Sequence, residues 1–410
     1  MGNSRENQNI GSGLWMNRRT LLASAGAAAG LLAVGARPGH AQTPKRGGDI
    51  RVAAVGGSTS DTIDAHKMIN GVDFIRTSPL YDPLTAHNRE AQIENILAES
   101  LEPSKDARTW TIRLRKGVTF HNGKTMTASD VLFSFRRTAD PKNPLNNANF
   151  FKKVDLANAR VIDDLTLELP TLAPLSVLPE TVAGVNIIPE DYDPAKPVGT
   201  GPFKFQSFTP GAESVSVRNE NYWKDGGGPY LDSITVVSFQ DSTAAFNALQ
   251  GGQVHVFPDV PLVLLNQVVE GSGIKTLMSE PSKWTPFTMR VDQPPFDDPR
   301  VRQAFRLILD RQQLAKIAFN GYAAVGNDLF SNWSPYYDSS RQRDHDLDQA
   351  KFLLKQSGNS DLTVELMTSD VSAGVLQSAQ VFARQARGAG VTVKVNQVTP
   401  DVYYGENYLK

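Results

Sequence analysis

The chain has 410 residues, 42 Lys and Arg against 43 Asp and Glu, a net charge of −1 and 40% hydrophobic residues. This lacks the basic excess that phosphate recognition demands, which excludes a nucleic-acid binder, and the length provides a core for more than one domain. Cysteine is absent, which removes disulfides, thiolate nucleophiles, Cys-bound zinc, iron–sulfur clusters and a lipid-attachment cysteine.

Residues 1–15 are polar and aperiodic, and Met16 is an alternative start. Arg18 and Arg19 then precede an Ala/Gly/Leu stretch from Leu21 to Ala36, and Gly39 and Ala41 are the small residues a signal peptidase requires. The paired arginines with Thr20, Leu21 and Leu22 resemble a twin-arginine export signal; an ordinary secretory signal or an amphipathic helix is the alternative. The stretch is too short and too weakly apolar to cross a bilayer, so no stable membrane span is expected. A periplasmic protein is expected, cleaved near Ala41 and starting near Gln42.

Ile50–Val55 reads as a buried strand followed by a Gly56–Ser60 loop. Trp110–Arg115 alternates as a half-buried strand, Val118–Phe120 is a short extended piece, and Asn122-Gly123 is a hairpin signal. Thr127 or Ser129 caps a helix that Asp130 enters and that runs through Val131, Phe133 and Phe135. Further strands are predicted at Arg160–Leu169, Phe203–Phe208, Ser214–Arg218, Ser233–Phe239 and Leu362–Leu366. Helices are predicted at Ser242–Leu249, Pro299–Ala318, Asp346–Gln356 and Val375–Arg387. Their irregular interleaving indicates a mixed α/β protein of several lobes, with Pro-rich junctions at Ser78–Pro83, Pro194–Pro202 and Pro294–Pro299.

Catalytic and metal signatures fail one by one. The six histidines have no His-Glu-x-x-His spacing, and Gly199-Thr200-Gly201 runs into Pro202 where a dinucleotide-binding helix should begin. Asp344, Asp346 and Asp348 mimic a calcium loop, but Gln349 and Lys355 stand where glycine and glutamate are needed; the acids suit a helix cap instead. No nucleophile elbow or Walker loop is present, and nothing sets a nucleophile beside a base.

The run Trp110-Thr-Ile-Arg-Leu-Arg-Lys-Gly-Val-Thr-Phe-His-Asn-Gly-Lys-Thr-Met-Thr-Ala-Ser-Asp-Val131 resembles the signature of the peptide- and nickel-binding solute-binding proteins of ABC importers, departing from it at Thr125. Val198–Phe203, Asn221–Trp223, Ala248–Gln253, Pro295–Phe305 with Asp310-Arg311, and Asp348–Leu354 resemble further landmarks of that family in order. The resemblance implies an α/β periplasmic-binding-protein fold of two lobes joined by crossing strands, with an extra domain inserted in the first. On this chain, after an N-terminal extension and signal at 1–41, lobe I occupies 42–80 and 198–286, the inserted domain 81–197, and lobe II 287–410, with a crossing near Phe287–Val291.

The same resemblance implies the periplasmic substrate-binding component of an ABC transporter. It would capture a small molecule or peptide-like solute in the interlobe cleft, as a monomer, and hand it to the permease subunits without catalytic residues, metal or cofactor. The ligand contacts it implies fall on Gly57, Ser58 and Thr59 and on Met367, Thr368 and Ser369; ordinary surface loops are the plainer reading of both. Trp284 and Trp333 are candidate pocket walls, with core packing as the alternative. Family members continue past the position of Lys410, so an incomplete second lobe, weak or no peptide binding and exposed apolar surface are expected. A sensory adaptor, a non-binding truncated remnant and a periplasmic enzyme on the same scaffold are the competing readings. The sequence does not choose among dipeptide, oligopeptide, metal chelate, opine or sugar.

Overall fold

The structure is a computed structural model that describes residues 45–403 apart from 69, 91, 143, 144, 146, 225–227, 266, 269, 270, 279–283, 330, 331, 333–336, 400 and 401. The export signal read in the sequence lies outside the described residues, as does Trp333. Among the described residues no helix is long and apolar enough to cross a membrane.

In chain order the elements begin with β1 (Asp49–Val55), α1 (Gly71–Thr77), β2 (Thr85–His87), β3 (Ile93–Asn95), β4 (Ala98–Pro103), β5 (Thr109–Leu114), α2 (Ala128–Thr138), β6 (Arg160–Asp163), β7 (Thr166–Pro170) and α3 (Leu178–Val182). There follow β8 (Phe203–Thr209), β9 (Glu213–Arg218), β10 (Ser233–Phe239), α4 (Ser242–Gln250) and α5 (Leu262–Leu265). The last are α6 (Pro299–Ile308), α7 (Arg311–Ala318), α8 (Leu347–Gln356), β11 (Thr363–Thr368), α9 (Val375–Arg387) and β12 (Thr392–Gln397).

Three bodies with separate cores result. In the first, β1 pairs in parallel with β10, and β9 and β8 continue the sheet antiparallel in the order β1-β10-β9-β8. Its one face is covered by α4, whose Ala245, Phe246 and Ala248 pack with Ala53 and Val254. Val72 of α1 packs with Ala54 and Val236. In the second body an antiparallel sheet β4-β5-β7-β6 holds the largest core, where Trp110, Ile112, Leu114, Phe120, Val131 and Phe135 are buried. The third is a parallel β11-β12 pair connected through α9 and packed with α6 and α8. There Val301, Ala304, Phe305 and Ile308, spaced along one face of α6, meet Leu353, Leu354, Phe382 and Ala386. Each large apolar side chain so buried stabilises by about 1.5–3 kcal/mol relative to exposure. Phe287 and Met289, on the segment that enters this body, pack on its core, with the Phe287 ring 4.8 Å from that of Phe382.

Two details depart from the sequence expectations. Arg160–Leu169 is a tight hairpin rather than one strand, because the Asp163 carboxylate accepts the Leu165 amide and turns the chain. Pro299–Ala318 breaks at Leu309-Asp310, where Asp310 leaves the helix, accepts the Gln313 amide and starts α7. At Gly199 and Gly201 an added Cβ would lie 2.1 Å from Leu80 O and 2.5 Å from Leu80 C respectively. Those glycines let two backbones touch. As expected, Asp346 caps α8.

Candidate functional site

Where the third body meets the first, the end of β1 and the start of α1 face the loop between β11 and α9. Ala54–Gly56, Asn70–Val72, Ser242 and Phe257–Asp259 lie on one side and Asp370–Ala373 on the other, around a cavity of about 70 Å³. Ser372 Oγ donates to Asp259 Oδ2 across it at 3.1 Å. Asp259 sits in the left-handed region at φ 57°, a conformation that costs a non-glycine residue about 1 kcal/mol or more and that clusters at ligand clamps. The Asp370 carboxyl is pushed above its ordinary value, first by partial desolvation and then by the charge of Asp241, the cap of α4. Acids of two bodies therefore converge on one seam.

The seam opens into a groove of about 2200 Å³. Its walls are α4 and the Val254–Val260 segment of the first body, the Trp284–Met289 segment, and Phe296, α6, α7 and the Tyr322–Leu329 loop of the third. Leu277, Met278, Trp284 and Tyr322 line it and are largely exposed. Trp284 is thus a groove wall. Among the described residues no group of three His, Cys, Asp or Glu is placed to hold a metal ion.

None of Gly57, Ser58, Thr59, Met367, Thr368 and Ser369 lines the seam cavity or the groove; their chain neighbours do. Gly57 is buried against β10, where an added Cβ would lie 2.5 Å from Ser238 Cβ. The Ser58 amide donates to Asp61 Oδ1 and its hydroxyl pairs with Ser60, while Thr59 is exposed. Behind them the buried Arg76 guanidinium lies 2.9 Å from Asp61 and donates to Ser238, so that α1 fixes the loop from below. On the other side the β11 ladder runs two residues past Leu366, to Thr368 opposite Gln397. Met367 is half-buried, Thr368 and Ser369 are buried, and Ser369 Oγ has no hydrogen-bond partner. The loop that reaches the seam is therefore Asp370–Ala373. Asn70, Asp259, Asp370 and Ser372 carry no motif; the only signal for Asp370 and Ser372 is their position just after a strand.

A second polar network joins the first two bodies. Asp64 takes both terminal nitrogens of Arg137, at 2.9 and 2.6 Å, while Arg137 Nη1 also meets His66 Nδ1 and His66 Nε2 meets the Asn186 carbonyl at 2.7 Å. Burial drives the His66 ring down to about 4, and burial likewise takes His121, bonded between Gly199 and Gly201, to about 4. Burial, the largest effect, would raise Asp64, but the Arg137 hydrogen bonds, the His66 amide and the charges of Arg137 and His66 together outweigh it, and the carboxyl sits below its ordinary value. Both rings are neutral and structural.

The family described as bacterial extracellular solute-binding proteins, family 5 Middle, matches residues 92–409. The chain is 30% identical over 377 residues to the glutathione-binding protein GsiB of Pectobacterium atrosepticum, covering 89% of this chain and 72% of that one. Among solved structures it resembles the periplasmic binding protein DppA of Helicobacter pylori in complex with the peptide STSA, with a TM-score of 0.73, 23% identity and coverage of 88% and 75% of the two chains. It also resembles the periplasmic binding protein AgaA of A. tumefaciens R10 in complex with agropinic acid, with a TM-score of 0.73, 26% identity and coverage of 85% and 72%.

Proposed function

The chain belongs to the bacterial extracellular solute-binding proteins of family 5, and from that premise we propose that it captures a peptide-like solute between two lobes and presents it to the permease subunits of an ABC importer. The fold is the two-lobed α/β fold of periplasmic binding proteins. The family binds solutes rather than transforming them, and the molecule is not an enzyme.

The observation that carries the proposal is the groove, because a solute lying in it touches the first and third bodies together. Contact with both gives the closed arrangement the higher affinity, and that difference drives hinge closure. Asp259 and Asp370 at the seam offer carboxylates to an ammonium group, and Asn70, Ser242 and Ser372 offer polar groups that do not read side chains. Gly57, Ser58 and Thr59, and Met367, Thr368 and Ser369, flank these contacts. The separate cores support lobe I at 42–80 and 198–286, an inserted domain at 81–197 and lobe II at 287–410. Export with cleavage near Ala41 completes the proposal, and N-terminal sequencing of the secreted protein checks it.

The test is calorimetric titration of the purified chain with glutathione and with a dipeptide mixture, alongside mass spectrometry of small molecules that co-purify. Saturable binding of a peptide-like solute is expected, with a Kd of about 1 mM or tighter, roughly −4 kcal/mol or better. Retention of a solute without peptide character, with no response to either titrant, would overturn the proposal.

A further inference from the structure

Helix α9 starts differently from its neighbours. α1, α4, α6, α7 and α8 each begin on an Asn or Asp whose side chain accepts a first-turn amide, namely Asn70, Asp241, Asp298, Asp310 and Asp346. α9 begins on Gly374, at φ 81° and with no side-chain cap. An Asn would tolerate that left-handed backbone and cap the helix as well, so neither demand explains the glycine. Space does. A Cβ added at Gly374 would lie 2.3, 2.6 and 2.8 Å from three carbons of the Phe319 ring, well inside the roughly 3.5–4.0 Å of a carbon–carbon contact. The ring therefore rests on a bare Cα.

Both partners are held from elsewhere. Phe319 is the C-cap of α7, its amide bonded to Ala315 O. At the other end of that helix the Gln385 side chain of α9 accepts the Asp310 amide at 3.2 Å and donates to the Asp310 carbonyl at 3.1 Å. The two helices thus lie antiparallel, pinned at both ends. Around Gly374 the Val375 amide bonds to Ser372 O, and the buried Ser378 hydroxyl donates to Gly374 O at 2.7 Å. Phe319 and Ala373 line the groove, and Ala373 also lines the seam cavity, next to the Ser372 that bonds to Asp259 of the first body. Phe319 is half-buried. A ring pushed off Gly374 has the groove to move into, and its movement leaves the pinned helices where they are.

We propose that Gly374 is a positioning residue for solute capture: its bare Cα holds the Phe319 ring flush with the groove wall and keeps the seam end of the groove open. It acts through the ring, without touching the solute. This rests on the capture of a peptide-like solute proposed above, and it adds the residue that sets the width of the groove at that end.

The experiment titrates the 410-residue chain with a dipeptide as wild type, Gly374→Asn, Phe319→Ala and the double variant, with far-UV circular dichroism and thermal unfolding to check the fold. Gly374→Asn is expected to weaken binding about 10-fold or more while the ring is present, as overpacking at a contact does. In the Phe319→Ala background the same change should cost less than about 2-fold, because residues in contact are not additive. The thermal midpoint of Gly374→Asn should stay close to that of the wild type, a split that a merely structural glycine would not give. Equal losses of affinity in both backgrounds, or none in either, overturn the positioning role and leave peptide capture standing. If Gly374→Asn unfolds the chain, refolding in the double variant supports the role and failure to refold overturns it. If the wild type binds no dipeptide, peptide capture falls and the apolar dye anilinonaphthalene sulfonate decides. Dye binding that Gly374→Asn weakens only with the ring in place supports the role; dye binding indifferent to the substitution overturns it.

Discussion

Burial of charge decides the behaviour of single residues here. Arg76 is fully buried, with Asp61 at 2.9 Å, Asp73 at 3.6 Å and its guanidinium over the Phe208 ring. Removing it strands the Asp61 carboxylate, which also receives the amides of Ser58 and Gly211. Arg76→Met is therefore expected to cost about 3–5 kcal/mol, read as a lower urea midpoint; an unchanged midpoint contradicts the clamp. Acid acts through His66 and His121. Each ring takes a proton near 6.5 when unfolded but only near 4 when folded. Between those values the unfolded chain binds more protons, so stability falls as pH drops from 6.5 to 4 and levels off below. About 3 kcal/mol per ring is at stake. Urea unfolding at pH 7 and 4.5 measures the loss, which His66→Gln should reduce. None of this was legible in the sequence, since Asp64, His66, Arg137 and Asn186 meet only through the fold.

Local chemistry, in contrast, was readable at the scale of elements. Thr127 and Asp130 form the capping box of α2. The Asp130 carboxylate also receives the Glu190 amide and Lys124 while fully buried. Thr127→Ala should cost about 1 kcal/mol as a lost cap, and Asp130→Ala more, because several donors lose one buried acceptor; equal losses in thermal unfolding contradict this ranking. At Asn122-Gly123 only Gly123 has a positive φ, 85°. The Gly123 amide bonds to Phe120 O and the Phe120 amide to Lys124 O, giving a three-residue loop rather than a two-residue one. Periodicity located α6 and its buried face, but apolar continuity hid the break at Leu309-Asp310. It also ended β11 at Leu366, because Met367-Thr368-Ser369 interrupts the apolar run although ladder pairing continues. The ladder thus ends at Thr368, and the residues that line the seam begin at Asp370.

At the scale of the molecule, the family signature from Trp110 to Val131 predicted the fold from outside the groove, since most of its large apolar residues belong to the buried core of the second body. The seam is built from Asn70, Asp259, Asp370 and Ser372, brought together from distant parts of the chain, so no local pattern reports it. The two-lobed fold makes one mechanical claim: the lobes approach when a solute bridges them. The absence of cysteine allows the chain to be labelled at two chosen sites, and Ala212→Cys in the first body with Lys351→Cys in the third places spin labels on exposed positions of each. The distance distribution between them, measured by pulsed electron spin resonance with and without saturating dipeptide, is predicted to shorten and narrow on binding. A distribution unchanged with the dipeptide bound would contradict capture by closure.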